Sequence, residues 1–205
     1  FALKTDLPPE AKEALIHVLG CNEVTTRTKN ERRWVPVRDG QLDITGLVKV
    51  GVIYRHGCGP EKAPGKEVSL GLLAGFPDFQ GALASTYAHD SHNLTVYGTD
   101  ESDMALAANR LIEIGGGLCA VQDGKILAEV PLPVAGVLTE GEVDELKEQF
   151  GDFFRAVEQV GLRHSHPMMF MTLMTLAVSL EIKCTDMGLV DTLEKKFIPL
   201  VVEAR

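Results

Sequence analysis

The densest run of polar side chains in this sequence lies between two apolar segments, at residues 88–93. It contains His89, Asp90, Ser91, His92 and Asn93. His89 and His92 could share a metal ion, or Asp90 could orient an imidazole as a base toward Ser91, which is how a serine nucleophile is activated. Alternatively, these short polar side chains cap their own turn and bond nearby backbone groups. Both interpretations stay open, and we take the five residues as candidates that face a ligand.

Arg55 and His56 form a second candidate pair, at the end of a strongly apolar segment. His56 stands two residues before Cys58, and a thiolate beside an imidazole can act as a nucleophile. A two-residue separation on a glycine-rich loop does not fix the geometry of such a pair, however. The spacing therefore assigns no catalytic role to His56 or Cys58, and we assign a catalytic role to no residue of this chain.

Other patterns that could bind metals or phosphates lack the right context. His164 and His166 have the spacing of two ligands on one strand face, but a predicted helix ends just before them and Pro167 follows, which favours an exposed loop. The four cysteines are too far apart in sequence for a zinc knuckle and are interpreted as reduced thiols. The segment 115–120 matches a dinucleotide-binding pattern, yet it closes a helix and opens a strand, the reverse of the required order. The sequence therefore predicts no metal site and no cofactor in this chain.

Charge and apolar patterning narrow the possible partners. The 205 residues carry 20 Lys and Arg against 29 Asp and Glu, a net charge of −9, which repels phosphate backbones and anionic lipids. The basic run at 27–34 is predicted to be a solvated strand or loop that meets acidic groups of a neighbouring domain. The longest uncharged apolar stretch, 167–180, is shorter than the ~20 residues that span a bilayer, and its methionines are expected in the core or an interface. We expect a cytoplasmic protein with no nucleic-acid and no membrane partner.

Short apolar segments with alternating or β-branched character predict strands throughout the chain. Turn residues at 38–40 and 57–65 separate the first of them, and Gln122-Asp123-Gly124 between two later segments is typical of a β-hairpin. Residues 14–19 fit either a strand or the end of a short helix opened by Pro8-Pro9. The other predicted strands are 47–54, 68–73, 81–87, 94–97, 118–121, 125–130, 181–185 and 197–202.

Two helices have clear start and stop signals. One follows an N-cap at Thr99 or Asp100, and the other opens with the capping-box pattern of Thr139 and Glu142 and ends at Gly161. Strands and helices do not alternate strictly. We therefore predict an α+β fold in which about two to three helices cover a mixed, largely antiparallel β-sheet, and the chain is too short for a (β/α)-barrel.

From about residue 35 to residue 200 the sequence resembles the C-terminal domain of bacterial adenine deaminases, which belong to the amidohydrolases. The resemblance rests on segments longer than the motifs above and is strongest between residues 81 and 136. The matching segments are ALASTYAHDSHNL at 82–94, VYGT at 96–99, DMA at 103–105, NRLIEIGGG at 109–117, DGK at 123–125, LAEVPLPVAG at 127–136, MTL at 171–173 and TDMGLVD at 185–191.

The resemblance implies hydrolysis of adenine to hypoxanthine and ammonia by a larger enzyme. In that family a preceding (β/α)-barrel holds two divalent metals, such as Mn, Fe or Zn, and this chain has no counterpart of their ligands. Arg55-His56 and the loop 89–93 do match family positions. We predict that they face the barrel mouth or a neighbouring subunit and help enclose adenine or a related purine. We also expect a homo-oligomer.

Three interpretations follow from the resemblance. In the first, the chain is the C-terminal portion of an adenine deaminase, inactive alone, with 1–34 as an extended connecting segment and 35–205 as the domain. The start at Phe1 without a methionine favours this interpretation. In the second, the chain is a free-standing relative that binds a ligand or assists assembly without catalysis. In the third, it is a self-contained hydrolase built on residues 89–91.

Overall fold

The computed structural model describes residues 1–3, 5–57 and 68–205, and within them the chain forms thirteen strands and three helices. The strands before the first helix are β1 Glu13–Gly20, β2 Lys29–Arg38, β3 Gln41–Leu42, β4 Val48–Ile53, β5 Val68–Ala74, β6 Ala82–Ser85 and β7 Leu94–Gly98. They are followed by α1 Glu101–Glu113, β8 Gly117–Gln122, β9 Lys125–Pro131, α2 Val143–Val160, α3 Pro167–Leu173, β10 Ile182–Thr185, β11 Gly188–Asp191, β12 Lys196–Ile198 and β13 Val201–Ala204.

A ten-stranded sheet forms the centre of the molecule, in the order β3-β2-β1-β5-β4-β7-β6-β8-β9, with β13 also paired to β1. Its strand pairs are antiparallel except for β1 with β5. A smaller sheet, β10-β11-β12, packs against β5. The predicted α+β fold with a mixed, largely antiparallel sheet is confirmed, and no barrel closes within the described part of the chain.

The alternation of side chains along the central strands creates a core on each face of the sheet. On β6, Ala82 and Ala84 face the same side as Met104 of α1, whereas Leu83 faces the side of Phe153 of α2. All five side chains are buried. Because helices cover both faces here, the loops at the strand ends are the parts of this region that a ligand can reach.

Helix α1 begins as predicted. The Asp100 carboxylate accepts hydrogen bonds from the backbone N–H groups of Ser102 and Asp103, both at 2.9 Å, which satisfies two of the free donors at the helix start. Gly115 ends the helix with a φ of +83°, a conformation that glycine adopts without steric cost.

Helix α2 ends as predicted at Gly161, which has a φ of +92°, but the predicted start is wrong. Its N-cap is Glu142, whose side chain makes no capping hydrogen bond. Thr139 lies outside the helix and accepts a hydrogen bond from the backbone of Gly141 instead. The pattern failed because the hydroxyl forms a local turn, a competing use for threonine side chains. No helix in the described ranges is both long and apolar enough to cross a lipid bilayer.

Most predicted strands and turns are present. Residues 14–19 lie in strand β1, and the turns at Asp39-Gly40 and Asp123-Gly124 have positive φ at both residues, as hairpin turns require. The segment 197–202 is not one strand, because β12 ends at Ile198 and β13 starts at Val201. Residues 58–65 of the predicted turn lie outside the described residues.

The first two strands belong to the central sheet. β1 lies inside this sheet, between β2 and β5. β2 spans Lys29–Arg38 and therefore crosses the predicted boundary between residues 34 and 35. The division of the chain at residues 34 and 35 stays a prediction.

Candidate functional site

The polar segment 86–93 is the loop that joins β6 to β7, and it is fixed to helix α3. The backbone N–H of His89 donates to the carbonyl of Thr172 at 3.0 Å, and the Thr175 hydroxyl donates to the carbonyl of His89 at 3.2 Å. Within the loop, the N–H of His92 donates to the carbonyl of Ala88 at 2.6 Å. These bonds give the loop a defined conformation, so its side chains have fixed starting positions.

The structure brings Arg55 and His56 to the same loop, although more than thirty positions separate them in sequence. Ile53 at the end of β4 pairs with Leu94 at the start of β7, so the residues after β4 lie beside the loop before β7. The Arg55 Nε–H donates to the carbonyl of His92 at 2.6 Å, and His56 Nε2 donates to the carbonyl of Ser91 at 2.6 Å. Both predicted candidates thus bind backbone carbonyls of the loop.

A third segment also meets Arg55, and the sequence interpretation missed it. The guanidinium Nη2 donates to the carbonyl of Ala135, and a Cβ at Gly136 would lie 2.5 Å from that nitrogen. Gly136 also has a φ of +75°, a conformation that glycine adopts without steric cost. Burial lowers the pKa of Arg55 from its ordinary value, although the guanidinium stays charged at neutral pH.

The predicted side-chain cluster His89, Asp90 and Ser91 does not form a nucleophile–base arrangement. His89 Nε2 pairs with an Asp90 carboxylate oxygen at 2.8 Å, and more than half of each side chain is exposed. The Ser91 hydroxyl instead accepts a hydrogen bond from the backbone of Asn93 at 3.4 Å. Ser91 therefore stabilises its own turn, as in the structural interpretation of this segment.

His92 lies close to Arg55, His56 and His89. Burial lowers its pKa below the ordinary histidine value, and the positive charges of His89, Arg55 and His56 lower it further, while Asp90 acts in the opposite direction. The imidazole is therefore neutral at neutral pH and presents one donor and one acceptor nitrogen. Its Nδ1 is buried and has no hydrogen-bond partner within the described residues.

Asn93 is the remaining candidate. Its side chain is almost fully buried behind the loop, and its Oδ1 has no partner among the residues that the structure describes.

A cleft of about 340 Å³ separates the loop from helix α3. Tyr87, His89 and His92 form one wall, and Met168 and Met169 belong to the other. The sequence interpretation placed the methionines of this segment in a core or an interface. Met171 and Met174 are indeed buried, but 53% of Met169 is exposed beside the loop. No local sequence pattern distinguishes Met169 from its buried neighbours, because the packing of α3 decides which of these methionines is exposed.

The other sequence patterns do not assemble a site. His164 Nδ1 accepts a hydrogen bond from the backbone of His166, and its ring packs on Phe170 with centroids 5.1 Å apart, so His164 is partly buried rather than exposed. Gly115 and the residues after it close α1 and open β8, as predicted. Cys58 lies outside the described residues. Among the described residues, no group of three or more His, Cys, Asp and Glu side chains could hold a metal ion.

The basic run at 27–34 leads into and forms the first part of β2 and has partners within the chain. Arg33 pairs with Glu31 at 2.6 Å, and the Arg205 guanidinium lies 4.1 Å from the Trp34 ring. Contact between this run and an acidic neighbouring domain stays a prediction.

These observations define an α+β domain whose candidate site is carried on loops at strand ends, without an assembled metal centre or serine triad in the described residues. Comparison with protein-family models matches residues 25–196 to the adenine deaminase C-terminal domain. The chain belongs to the adenine deaminase C-terminal domain family.

Individual relatives agree with this assignment. The chain is 38% identical to the adenine deaminase of Moorella thermoacetica over 201 residues, which are 97% of this chain and 33% of the relative. It is 47% identical to that of Clostridium botulinum strain Langeland over 157 residues, 77% of this chain and 25% of the relative. With the enzyme of Roseobacter denitrificans it shares 36% over 197 residues, 95% of this chain and 32% of the relative. The chain thus spans a quarter to a third of these relatives.

Proposed function

We propose that this chain acts in the hydrolysis of adenine, as the part of an adenine deaminase that helps enclose the purine, and that it is inactive alone. The observation that carries the proposal is the position of Arg55. Its guanidinium joins the end of β4, the loop 88–93 and the loop at Ala135, and it thereby sets the position of His92. Fixed loops around a neutral imidazole are suited to hold a polar heterocycle while another part of the enzyme performs the chemistry.

The divalent metal pair that the resemblance implies does not fit the described residues of this chain. The His89 and His92 ring centroids lie 6.4 Å apart, and His89 Nε2 is already paired with the Asp90 carboxylate. Among the described residues, these side chains do not form a group of three or more that could hold a metal ion. The metals belong to the barrel that precedes this domain in the family. We also propose that the protein works as a homo-oligomer in the cytoplasm.

The test replaces the matching region of the Moorella thermoacetica adenine deaminase with this chain. The exchange is well defined because the match covers 97% of the chain. Adenine turnover is then measured for the chimera and for its Arg55→Ala, Arg55→Lys and Arg163→Ala variants. Arg163 is the matched control, since it is an exposed arginine that pairs with the equally exposed Asp78 at 3.6 Å.

We expect an active chimera in which Arg55→Ala lowers kcat/KM for adenine at least tenfold. Arg55→Lys should restore only part of the loss, because lysine cannot bridge two carbonyls with a planar fork. Arg163→Ala should leave kcat/KM unchanged, and the 205-residue chain alone should release no ammonia from adenine. An unchanged kcat/KM in Arg55→Ala, or turnover by the chain alone, would overturn the proposal. If the chimera does not fold, the same substitution at the aligned position of the intact Moorella enzyme decides the question.

A further inference from the structure

The cleft between the 86–93 loop and helix α3 has walls of an unusual kind for an exposed surface. On the loop side, the Tyr87 and His92 rings lie 5.7 Å apart at an interplanar angle of 47°. On the helix side stand Met168 and Met169. Tyr87 is 40% exposed and Met169 is 53% exposed, and both side chains line the cleft.

The chemistry of these walls selects flat, polarizable ligands. Aromatic rings stack on the faces of planar bases, and methionine sulfur makes favourable contacts with aromatic rings. The His92 imidazole is the polar group of the cleft best suited to meet the edge of a heterocycle. Because its Nδ1 is buried, the contact falls to Nε2, which donates in one neutral tautomer and accepts in the other. The cleft volume of about 340 Å³ falls within the range of small-molecule sites.

Hydrogen bonds join the loop wall and the helix wall of the cleft before any ligand binds. The His89 N–H bond to the Thr172 carbonyl ties the loop to α3, and the Thr175 hydroxyl bond to the His89 carbonyl ties it to the residues just after α3. Arg55 also holds the loop, through the His92 carbonyl. A ligand therefore meets a formed cleft and does not have to order it, which favours binding by this chain alone.

We propose that this cleft is a binding site of the chain itself for a planar nitrogen heteroaromatic base, stacked between Tyr87 and Met169 with its edge toward His92. The choice of a purine among such bases rests on the proposed function. The site would hold adenine before hydrolysis or hypoxanthine after it, next to the loop that Arg55 positions.

The experiment is a titration of the ¹⁵N-labelled 205-residue chain with adenine, hypoxanthine and, as a non-purine base, cytosine, followed by amide chemical shifts. We expect saturable shifts confined to residues 86–93 and 167–175 with the purines. Tyr87→Ala and Met169→Ala should each weaken binding about tenfold, the size of a base-stacking contribution. Met187→Ala is the matched control, since Met187 is 60% exposed but does not line the cleft, and its Kd should be that of the wild type.

A second variant, Tyr87→Leu, keeps the apolar bulk but removes the ring face, so it should also weaken binding. It replaces Tyr87→Ala in the test if that variant does not fold. No saturable shift with any base would overturn the proposal, as would purine binding that ignores both Tyr87 and Met169. Binding of cytosine alone would overturn the purine assignment. A Met169→Ala change that weakens assembly of the chimeric enzyme without affecting base binding would make the cleft a docking surface and also overturn the proposal.

This titration and the chimera kinetics fail separately. If Arg55→Ala lowers adenine turnover but the chain binds no base, the proposed function stands and the cleft assignment falls. If the chain binds purines through Tyr87 and Met169 but Arg55→Ala leaves adenine turnover unchanged, the cleft assignment stands and the proposed function falls.

Discussion

Arg55 and His92 are joined by a 2.6 Å hydrogen bond from the guanidinium Nε–H to the backbone carbonyl. Through this bond the end of a strand positions the backbone of a loop residue that is 37 positions away in sequence. The same guanidinium holds the Ala135 carbonyl, so one side chain connects two loops. A charged donor shared by two carbonyls in a partly buried place contributes more than a surface ion pair does.

Arg55→Ala is expected to lower the free energy of unfolding by about 2 kcal/mol, because two carbonyls lose a charged donor. Amide hydrogen exchange should speed up at 88–93 and 134–137 and stay unchanged in β8 and β9. Urea unfolding and exchange mass spectrometry measure the two effects. Arg163→Ala, the exposed control, should change neither, and equal effects of both variants would contradict this account.

Thr86→Val is expected to destabilise the protein by about 2 kcal/mol. The buried Thr86 hydroxyl accepts the N–H of Gly117 at 2.7 Å and donates to the carbonyl of Gly136 at 2.6 Å. Valine has the same shape but leaves both backbone groups buried without that partner. Thr86→Ser keeps the hydroxyl and should recover most of the stability in urea titrations. Equal losses in the two variants would show that the methyl group matters more than the hydrogen bonds.

The stability of the protein should fall between neutral and mildly acidic pH because of His92. Its folded pKa is lower than that of an unfolded histidine, so the unfolded chain binds more protons as the pH drops through the ordinary histidine range. Among the described residues, the groups whose charges act on His92 are Arg55, His56, His89 and Asp90, and the Tyr87 ring packs beside it. The cleft residues of α3, Met168, Met169, Thr172 and Leu173, do not titrate.

His92→Asn removes this titration and tolerates the φ of +48° at position 92. The difference in unfolding free energy between wild type and His92→Asn should therefore shift in favour of the variant from pH 7.5 to pH 5. Urea titrations at four pH values measure it. A difference that does not depend on pH would refute the assigned cause.

Lys183 gives a prediction at alkaline pH. Its side chain is fully buried, its Nζ donates to the Thr26 carbonyl at 3.1 Å, and burial lowers its pKa from 10.5 to about 8. Between pH 8 and 10.5 the unfolded chain binds more protons than the folded one, so this lysine makes the free energy of unfolding rise with pH. Well below pH 8 the lysine is protonated in both the folded and the unfolded chain, so it adds no pH dependence to the free energy of unfolding.

Lys183→Met is the variant that tests this effect. The thiols of Cys21, Cys119 and Cys184 have pKa values raised to about 12, chiefly by burial, and act in the opposite direction. The Lys183 charge lowers the pKa of Cys21, so Lys183→Met raises that pKa further. The readout is therefore the difference between wild type and variant, which should move in favour of the wild type from pH 8 to pH 10. A constant difference over this range would show that Lys183 keeps an ordinary pKa in the folded protein.

Local features of the fold could be predicted because neighbouring residues determine them. Asp100 caps α1 with two backbone bonds to residues two and three positions later, and Gly161 ends α2 by adopting a positive φ. The failure at Thr139 has the same origin, since its hydroxyl had two local partners to choose from and bonds the backbone of Gly141.

The candidate site was predictable only as a set of residues. Polar residue types between apolar segments indicated 89–93, and Arg55-His56 stood at a strand end, but nothing in the local sequence pairs β4 with β7. The order of the strands in the ten-stranded sheet brings β4 beside β7, and that order is set by the burial of apolar side chains on both faces of the sheet.

The sequence by itself determined the fold class, the family, the positions of most strands, both ends of α1, the end of α2 and the residues of the polar loop, because periodicity and turn chemistry act over a few residues. Only the tertiary structure decided that Arg55 binds the His92 carbonyl, that Ser91 stabilises its own turn and that Met169 and Tyr87 line one cleft. Those contacts join distant segments, and their geometry follows from the packing of the whole sheet and its helices.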